Sequence, residues 1–351
     1  MRRTKWTTWV AVAGVTVLLT SGCSLLKSKE SQPIDPPQSA TGTGGAAETP
    51  NVTSLPVNGG VQQKGVAVTL YMKDRNNFVA PVTVQVPTTD AVARKTLEYM
   101  VDGAGIGVVP AGFTGLLPKG TTVKGLDINP ETKVATVDFS KEFTTYSAVD
   151  ERKLLEAVTW ALTGYSNVQE VRIWVEGKEL KQMPLGGLPI NGALSRAMGI
   201  NVERAEGAEF GQSTPVTLYF LGQMDNQEPY YVPVTRMVKL TDDKAKATLE
   251  QLIAGPLQKS ALSSVMASTV ELPKIESKDG IITVNFTDTL LGPDRKAPGE
   301  ALQSVVLSLT EAAGDAKVQI KVNDDVKVTT TDNQNYSKPV SRPNGVNALK
   351  M

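Results

Sequence analysis

The chain contains no histidine. That removes the commonest general base and the commonest metal ligand together. Ser-His-Asp and Cys-His arrangements are excluded, as is any zinc site built on imidazole. One cysteine, Cys23, rules out an intramolecular disulfide. Neither sign of charge dominates: 36 Lys and Arg stand against 36 Asp and Glu. Arg2, Arg3 and Lys5 precede Cys23 with no acid among them, so the remainder is slightly acidic. A nucleic-acid surface needs a basic excess, so nucleic acid is not an expected partner. Nor does any apolar run after residue 22 have the length to span a bilayer.

What is present begins with an export signal. The basic start is followed by the apolar run Trp9 to Leu19, too short for a comfortable span, and then by Thr20, Ser21 and Gly22 ahead of Cys23. This resembles the lipobox of bacterial lipoproteins, in which the cysteine is acylated (a palmitate-type modification) and becomes the mature N-terminus. The family pattern prefers Leu where Thr20 stands, and Leu19 lies one place further out. The expectation is a signal peptide over 1–22, lipidation at Cys23, and a chain held on the extracytoplasmic face of the cell membrane. Residues 23–64 are broken by Pro33, Pro36, Pro37, Gly44, Gly45, Pro50, Gly59 and Gly60 and read as a flexible tether, reaching on the order of 35 Å.

The remaining length suits two domains, and 40% hydrophobic against 21% charged residues is a globular balance. An internal repeat organises them. VTLY at Val68–Tyr71 recurs at Val216–Tyr219, TLE at Thr96 recurs at Thr248, and TVDFS at Thr136 returns as TVNFT at Thr283. Val171–Val175 returns at Val318–Val322. The second copy gains residues around Asp225 to Glu228. The copies are placed at 65–200 and 213–348.

Each copy reads as strand, strand, helix, strand, strand, helix, strand. Val68, Leu70 and Met72 alternate with polar neighbours, as do Val82, Val84 and Val86. Ala93, Leu97, Met100 and Val101 recur at helical spacing, with Thr89 as N-cap and Gly103 as the stop. Strands are expected near 121–128, 133–139 and 171–175, and a second helix over 150–163, repeated around 300–311. The fold class is α/β (α+β): two tandem repeated domains, each a small mixed sheet with two helices mainly on one face.

On these segments each copy resembles the GerMN domain. The carrying residues are VTLYF at Val216, Val232-Pro233-Val234-Thr235-Arg236, LEQLIAGP ending at Pro256 and TVNFT at Thr283. In the first copy they are VTLYM at Val68, Pro81-Val82-Thr83-Val84, TLEYMVDG ending at Gly103, ATVDFSKEF ending at Phe143 and VRIWVEGK ending at Lys178. The first copy lacks the Arg of the VTR segment and the Pro after Gly103. The resemblance to GerM-like sporulation and spore germination lipoproteins, with two tandem GerMN domains, implies a non-catalytic part in sporulation and germination. It implies an assembly or scaffold component of an envelope complex, whose partners are the membrane, through the lipid on Cys23, and envelope or sporulation-complex proteins. Peptidoglycan is a further candidate ligand. The alternatives are an extracytoplasmic solute-binding lipoprotein and a cell-wall-remodelling enzyme.

No catalytic residue, metal ligand or cofactor site is expected. Gly103 to Gly107 follow a helix instead of preceding one, so they cannot offer helix amides to a phosphate. Asp138 and Glu142 could serve as a carboxylate pair, but Asn285 and Thr289 replace them in the second copy. Asp324, Asp325 and Asp332 fit no calcium loop and read as turn residues. Aromatics are only 5% of the chain, so those that alternation turns off the core stand out. Trp174, Tyr71 and Tyr219 are expected on the outer sheet faces as candidate interface residues.

Overall fold

The computed structural model describes residues 55–56, 65–209, 211–224 and 228–350. The segment expected to be an export signal, Cys23, the expected tether apart from Leu55 and Pro56, and Asp225–Gln227 lie outside them. The first repeat runs β1 (Gly65–Lys73), β2 (Val79–Pro87), α1 (Val92–Tyr99), β3 (Val123–Asn129), β4 (Val134–Phe139), α2 (Glu151–Leu162) and β5 (Glu170–Val175). The second repeats that order: β6 (Ser213–Gly222), β7 (Tyr230–Lys239), α3 (Lys244–Ala254), β8 (Lys274–Lys278), β9 (Ile281–Phe286), α4 (Gly299–Ala313) and β10 (Lys317–Val322). The mixed α/β class stands, although each repeat divides its strands between two sheets.

In each repeat the first two strands form an antiparallel hairpin apart from the main sheet, with Leu70 opposite Val82 and Leu218 opposite Val234; in the second repeat Glu203–Arg204 and Leu262–Ser263 add to the hairpin's edges. The β1–β2 turn is closed by Asp74, whose carboxylate accepts the Phe78 N–H at 2.8 Å. The other three strands make a mixed sheet: β3 and β4 pair antiparallel, β4 and β5 pair parallel, and α2 supplies the crossover that parallel pairing requires. Strands β8, β9 and β10 with α4 do the same. Helices α2 and α4 are buried over most of their surface, which explains why their apolar residues are not confined to one stripe.

The ends of the first helices differ. Helix α3 is capped by Asp243, which accepts the Lys246 N–H at 2.9 Å, and it stops at Gly255 with φ +81°. Helix α1 has no side-chain cap and stops at Tyr99, short of the expected Gly103. Thr89 lies outside it and accepts only the Ala91 N–H. Met100 and Asp102 instead exchange backbone hydrogen bonds with Leu117, which draws the chain off the helical path. One piece of the tether is also ordered into a ladder: Leu55–Pro56 pairs in parallel with Leu349–Lys350.

Candidate functional site

Strands β2 and β7 come together where the repeats meet. Pro81 and Pro233 occupy matching positions there and have no N–H to donate, so the two strands cannot complete a direct ladder. Two asparagines stitch the gap. Asn201 accepts the Val79 N–H at 2.8 Å and donates to the carbonyls of Val79 and Pro233, each at 2.7 Å. Asn347 accepts the Tyr231 N–H and donates to the carbonyls of Pro81 and Tyr231, all at 2.8 Å. Both take a left-handed backbone, φ +47° and +55°, which asparagine tolerates better than most residues.

Threonines complete the seam. The Ile200 N–H donates to Thr235 Oγ1 at 3.0 Å and the Val346 N–H to Thr83 Oγ1 at 3.0 Å. Thus the segment after each repeat closes on the hairpin of the other. Gly199 and Gly345 precede these contacts because a Cβ there would press on Thr235 and Thr83, at 3.1 and 2.8 Å. A block behind this seam extends the internal repeat: LSRAMGIN at Leu194–Asn201 returns 146 residues later as VSRPNGVN at Val340–Asn347.

The arginines of that block, Arg196 and Arg342, converge on one carboxylate. Glu311 lies 2.8 Å from each. Arg196 also bonds Thr163 Oγ1 and the Trp160 carbonyl, and its guanidinium stacks 4.5 Å from the Trp160 ring. Arg342 bonds the Leu307 carbonyl, Thr310 Oγ1 and the Tyr219 hydroxyl, repeating the pattern on α4. Burial opposes ionisation of Glu311, but Arg342 and Arg196 outweigh it and hold its carboxyl below the usual carboxylate range. Burial raises the Tyr219 hydroxyl against the pull of Arg342.

A buried ionic contact also lies within the second repeat. Arg236, 1% exposed, bonds Glu203, the Gln251 side chain and the Gly255 carbonyl. It thereby pins the exit of α3 and the segment leaving the first repeat. Its counterpart is Val84, buried among apolar residues, so the missing arginine leaves no unpaired partner behind.

Of the expected interface residues, Tyr71 and Tyr219 are not on open faces. They are 4% and 0% exposed, and both belong to the interior around Glu311. Tyr71 packs 6.0 Å from the Trp160 ring, while Tyr219 bonds Glu311 and Arg342. Alternation misplaced them because the hairpins are covered on both faces. Trp174 is half-buried on the outer face of β5, opposite Glu179 and Asp138, while Val171 and Ile173 are buried beneath.

The carboxylates considered for chemistry serve local geometry. Asp138 accepts the Gly177 N–H at 3.0 Å. Glu142 is held low chiefly by its hydrogen bond to Ser140. Asp324 bonds Asn285, Asp325 the Lys327 N–H and Asp332 the Gln334 N–H. Gly103 to Gly107 form turns after α1. Among the described residues no group of three or more His, Cys, Asp or Glu could hold a metal, and no helix is long and apolar enough to cross a membrane. A shallow cleft lies between Lys73, Leu117, Lys119, Tyr146 and Asp150, where Lys73 and Asp150 pair at 2.7 Å.

Comparison with known proteins agrees with the repeat. A family model described as Germane: Sporulation and spore germination matches residues 69–181 and 217–327. The spore germination protein GerM of Bacillus subtilis is 36% identical over 361 residues, spanning 96% of this chain and 97% of its own length. The solved tandem GerMN domains of the sporulation protein GerM from Bacillus subtilis share 36% identity, cover 80% of this chain and 99% of their own, and superpose with a TM-score of 0.74.

Proposed function

Since the chain belongs to the Germane family of sporulation and spore germination proteins, we propose that it acts there as a non-catalytic scaffold, held on the outer face of the cell membrane by a lipid on Cys23. The observation that carries this reading is the reciprocal seam. The tail of each repeat closes on the hairpin of the other, and the buried ionic groups Arg196, Arg342 and Glu311 are engaged with one another at that junction. The surfaces left open are sheet faces, which suit protein partners in a sporulation envelope complex, and peptidoglycan remains a lesser candidate.

Complementation tests it. In sporulating cells lacking their own family member, the full chain restores heat-resistant spores and fractionates with membranes. The Cys23→Ala chain does neither, while the purified protein leaves peptidoglycan intact. Hydrolysis of peptidoglycan, or full complementation by a soluble Cys23→Ala chain, would overturn the proposal.

A further inference from the structure

The two repeats are closed alike but present opposite charge on their open sheet faces. In β3–β4–β5 the register sets Asp127 abreast of Thr136 and Arg172, Val134 beside Glu170, and Asp138 beside Trp174, with Glu179 next to Trp174. Ala135, Val137, Phe139, Val171 and Ile173 fill the buried face, so these residues share the other one. The carboxylates of Asp127, Asp138, Glu170 and Glu179 stand there against Arg172, with Lys124 near Asp138 but already paired with Glu176. In β8–β9–β10, Lys278, Ile281 and Lys317 lie abreast, then Glu276, Thr283 and Gln319, then Lys274, Asn285 and Lys321. Lysines occupy all four corners, against Glu276 and the Asp324 carboxylate that bonds Asn285, while Gln319 between Lys317 and Lys321 is buried and bonds the Tyr336 carbonyl. Among the described residues none of these charged side chains apart from Lys124 is in an ion pair. At matching places in the repeat, Glu170 stands where the second copy has Lys317, and Trp174 where it has Lys321.

We propose that these faces bind one another between molecules: the acidic face of the first repeat docks on the lysine face of the second repeat of another copy. Opposite charge brings the faces together, and Trp174, the one large aromatic on either, packs against lysine stems with its ring toward an ammonium. Because two different surfaces meet, each pair keeps a free face at either end and association continues head to tail. Three strands about 4.8 Å apart and five residues at about 3.3 Å make a patch only roughly 10 by 14 Å, below the size of a stable interface. The contact is therefore weak in solution, with Kd on the order of 0.1 to 1 mM, and strengthens when copies are confined to one surface.

The test is sedimentation velocity on the full chain in detergent, at about 20 mM and about 300 mM salt, between which the screening length falls from about 20 Å to about 6 Å. Association should rise with concentration at low salt and weaken by roughly tenfold or more at high salt. E170K/E179K leaves two basic faces and K317E/K321E two acidic ones, so each variant alone should lose self-association. Mixed, they should regain association, because each basic face of one variant can meet an acidic face of the other, which also shows that both are folded. A monomeric wild type at low salt, variants that still associate, or a mixture that fails to pair would overturn the proposal. So would a monomer that instead binds anionic vesicles through Lys317 and Lys321. Any of these would leave the anchored-scaffold reading standing, because that rests on the seam and on Cys23.

Discussion

Asn347→Ala should cost about 3 to 5 kcal/mol of folding stability. Asn347 is fully buried, and its amide pairs the Tyr231 N–H and the carbonyls of Pro81 and Tyr231. Alanine leaves all three backbone groups without that partner. A buried donor or acceptor left unmade costs about 1 to 3 kcal/mol, with carbonyls at the lower end because a second lone pair can find other contacts. The left-handed φ of +55° adds about 1 kcal/mol for alanine. Against the roughly 5 to 15 kcal/mol of a whole protein this is a large fraction. Asn347→Gly separates the two effects: it accepts the backbone angle freely and still loses the three bonds, so it should recover only about 1 kcal/mol.

Urea unfolding followed by far-UV circular dichroism and tryptophan fluorescence reads both changes. Trp160 reports on the junction, since its indole N–H donates to the Gly199 carbonyl at 3.1 Å. If the seam joins the repeats into one cooperative unit, wild type unfolds in a single transition and Asn347→Ala separates the fluorescence and dichroism midpoints. A loss below about 1 kcal/mol with coincident midpoints, or Asn347→Gly as stable as wild type, would show that the bridge contributes little beyond its backbone angle.

Three further outcomes follow from the interior. Glu311→Gln should destabilise by about 2 to 4 kcal/mol at pH 7, because Arg196 and Arg342 lose their shared carboxylate; with the folded carboxyl held low, the native contribution is present above the ordinary carboxylate range and lost as pH falls through the depressed value, so urea midpoints at pH 7 and pH 3 should converge for wild type and variant. Asp74 runs the other way: burial raises its carboxyl despite the hydrogen bond from Tyr230, so its stabilisation fades as pH rises through that raised value, and Asp74→Asn should gain on wild type between pH 4 and pH 7. Trp174→Ala should lower the melting temperature far less than Trp160→Ala, since the fully buried Trp160 carries the roughly 3 to 5 kcal/mol of a core tryptophan, and equal drops would place both rings in the core.

Local pattern carried the strand and helix order well. Alternation at Val82, Val84 and Val86 and at Ile282 and Val284 marks faces that are buried. The same rule failed at Tyr71 and Tyr219, because period two says which residues share a face and not whether a second layer covers it. Nor could it show that the hairpins leave the main sheets, a choice made by the packing of α2 and α4. The seam was legible in principle. An Asn and an Arg at fixed spacing in two copies, in segments of little secondary structure, are a stronger signal than another matched strand, because loops seldom keep polar residues without a partner to bind. The tyrosines belonged to the same signal, as polar-tipped rings repeated beside a repeated arginine.

Where the copies agree and where they differ then separates closure from presentation. The prolines of β2 and β7, the threonines two places on, and the Arg, Gly and Asn of the tail block occur in both, and each meets its opposite number's surroundings across the seam. Glu311 has no such twin: Gly164 stands at the matching place. A second carboxylate there would sit beside the same two arginines, whose carboxylate-facing N–H groups Glu311 already engages from both sides, and would add a buried like-charge neighbour. One acid on the junction is thus the cheaper solution, and it makes the two halves non-equivalent although their closure is alike. With that equivalence gone, nothing in the seam obliges the outer faces to match, and there the copies differ most, in the carboxylates around Trp174 and the lysines around Thr283.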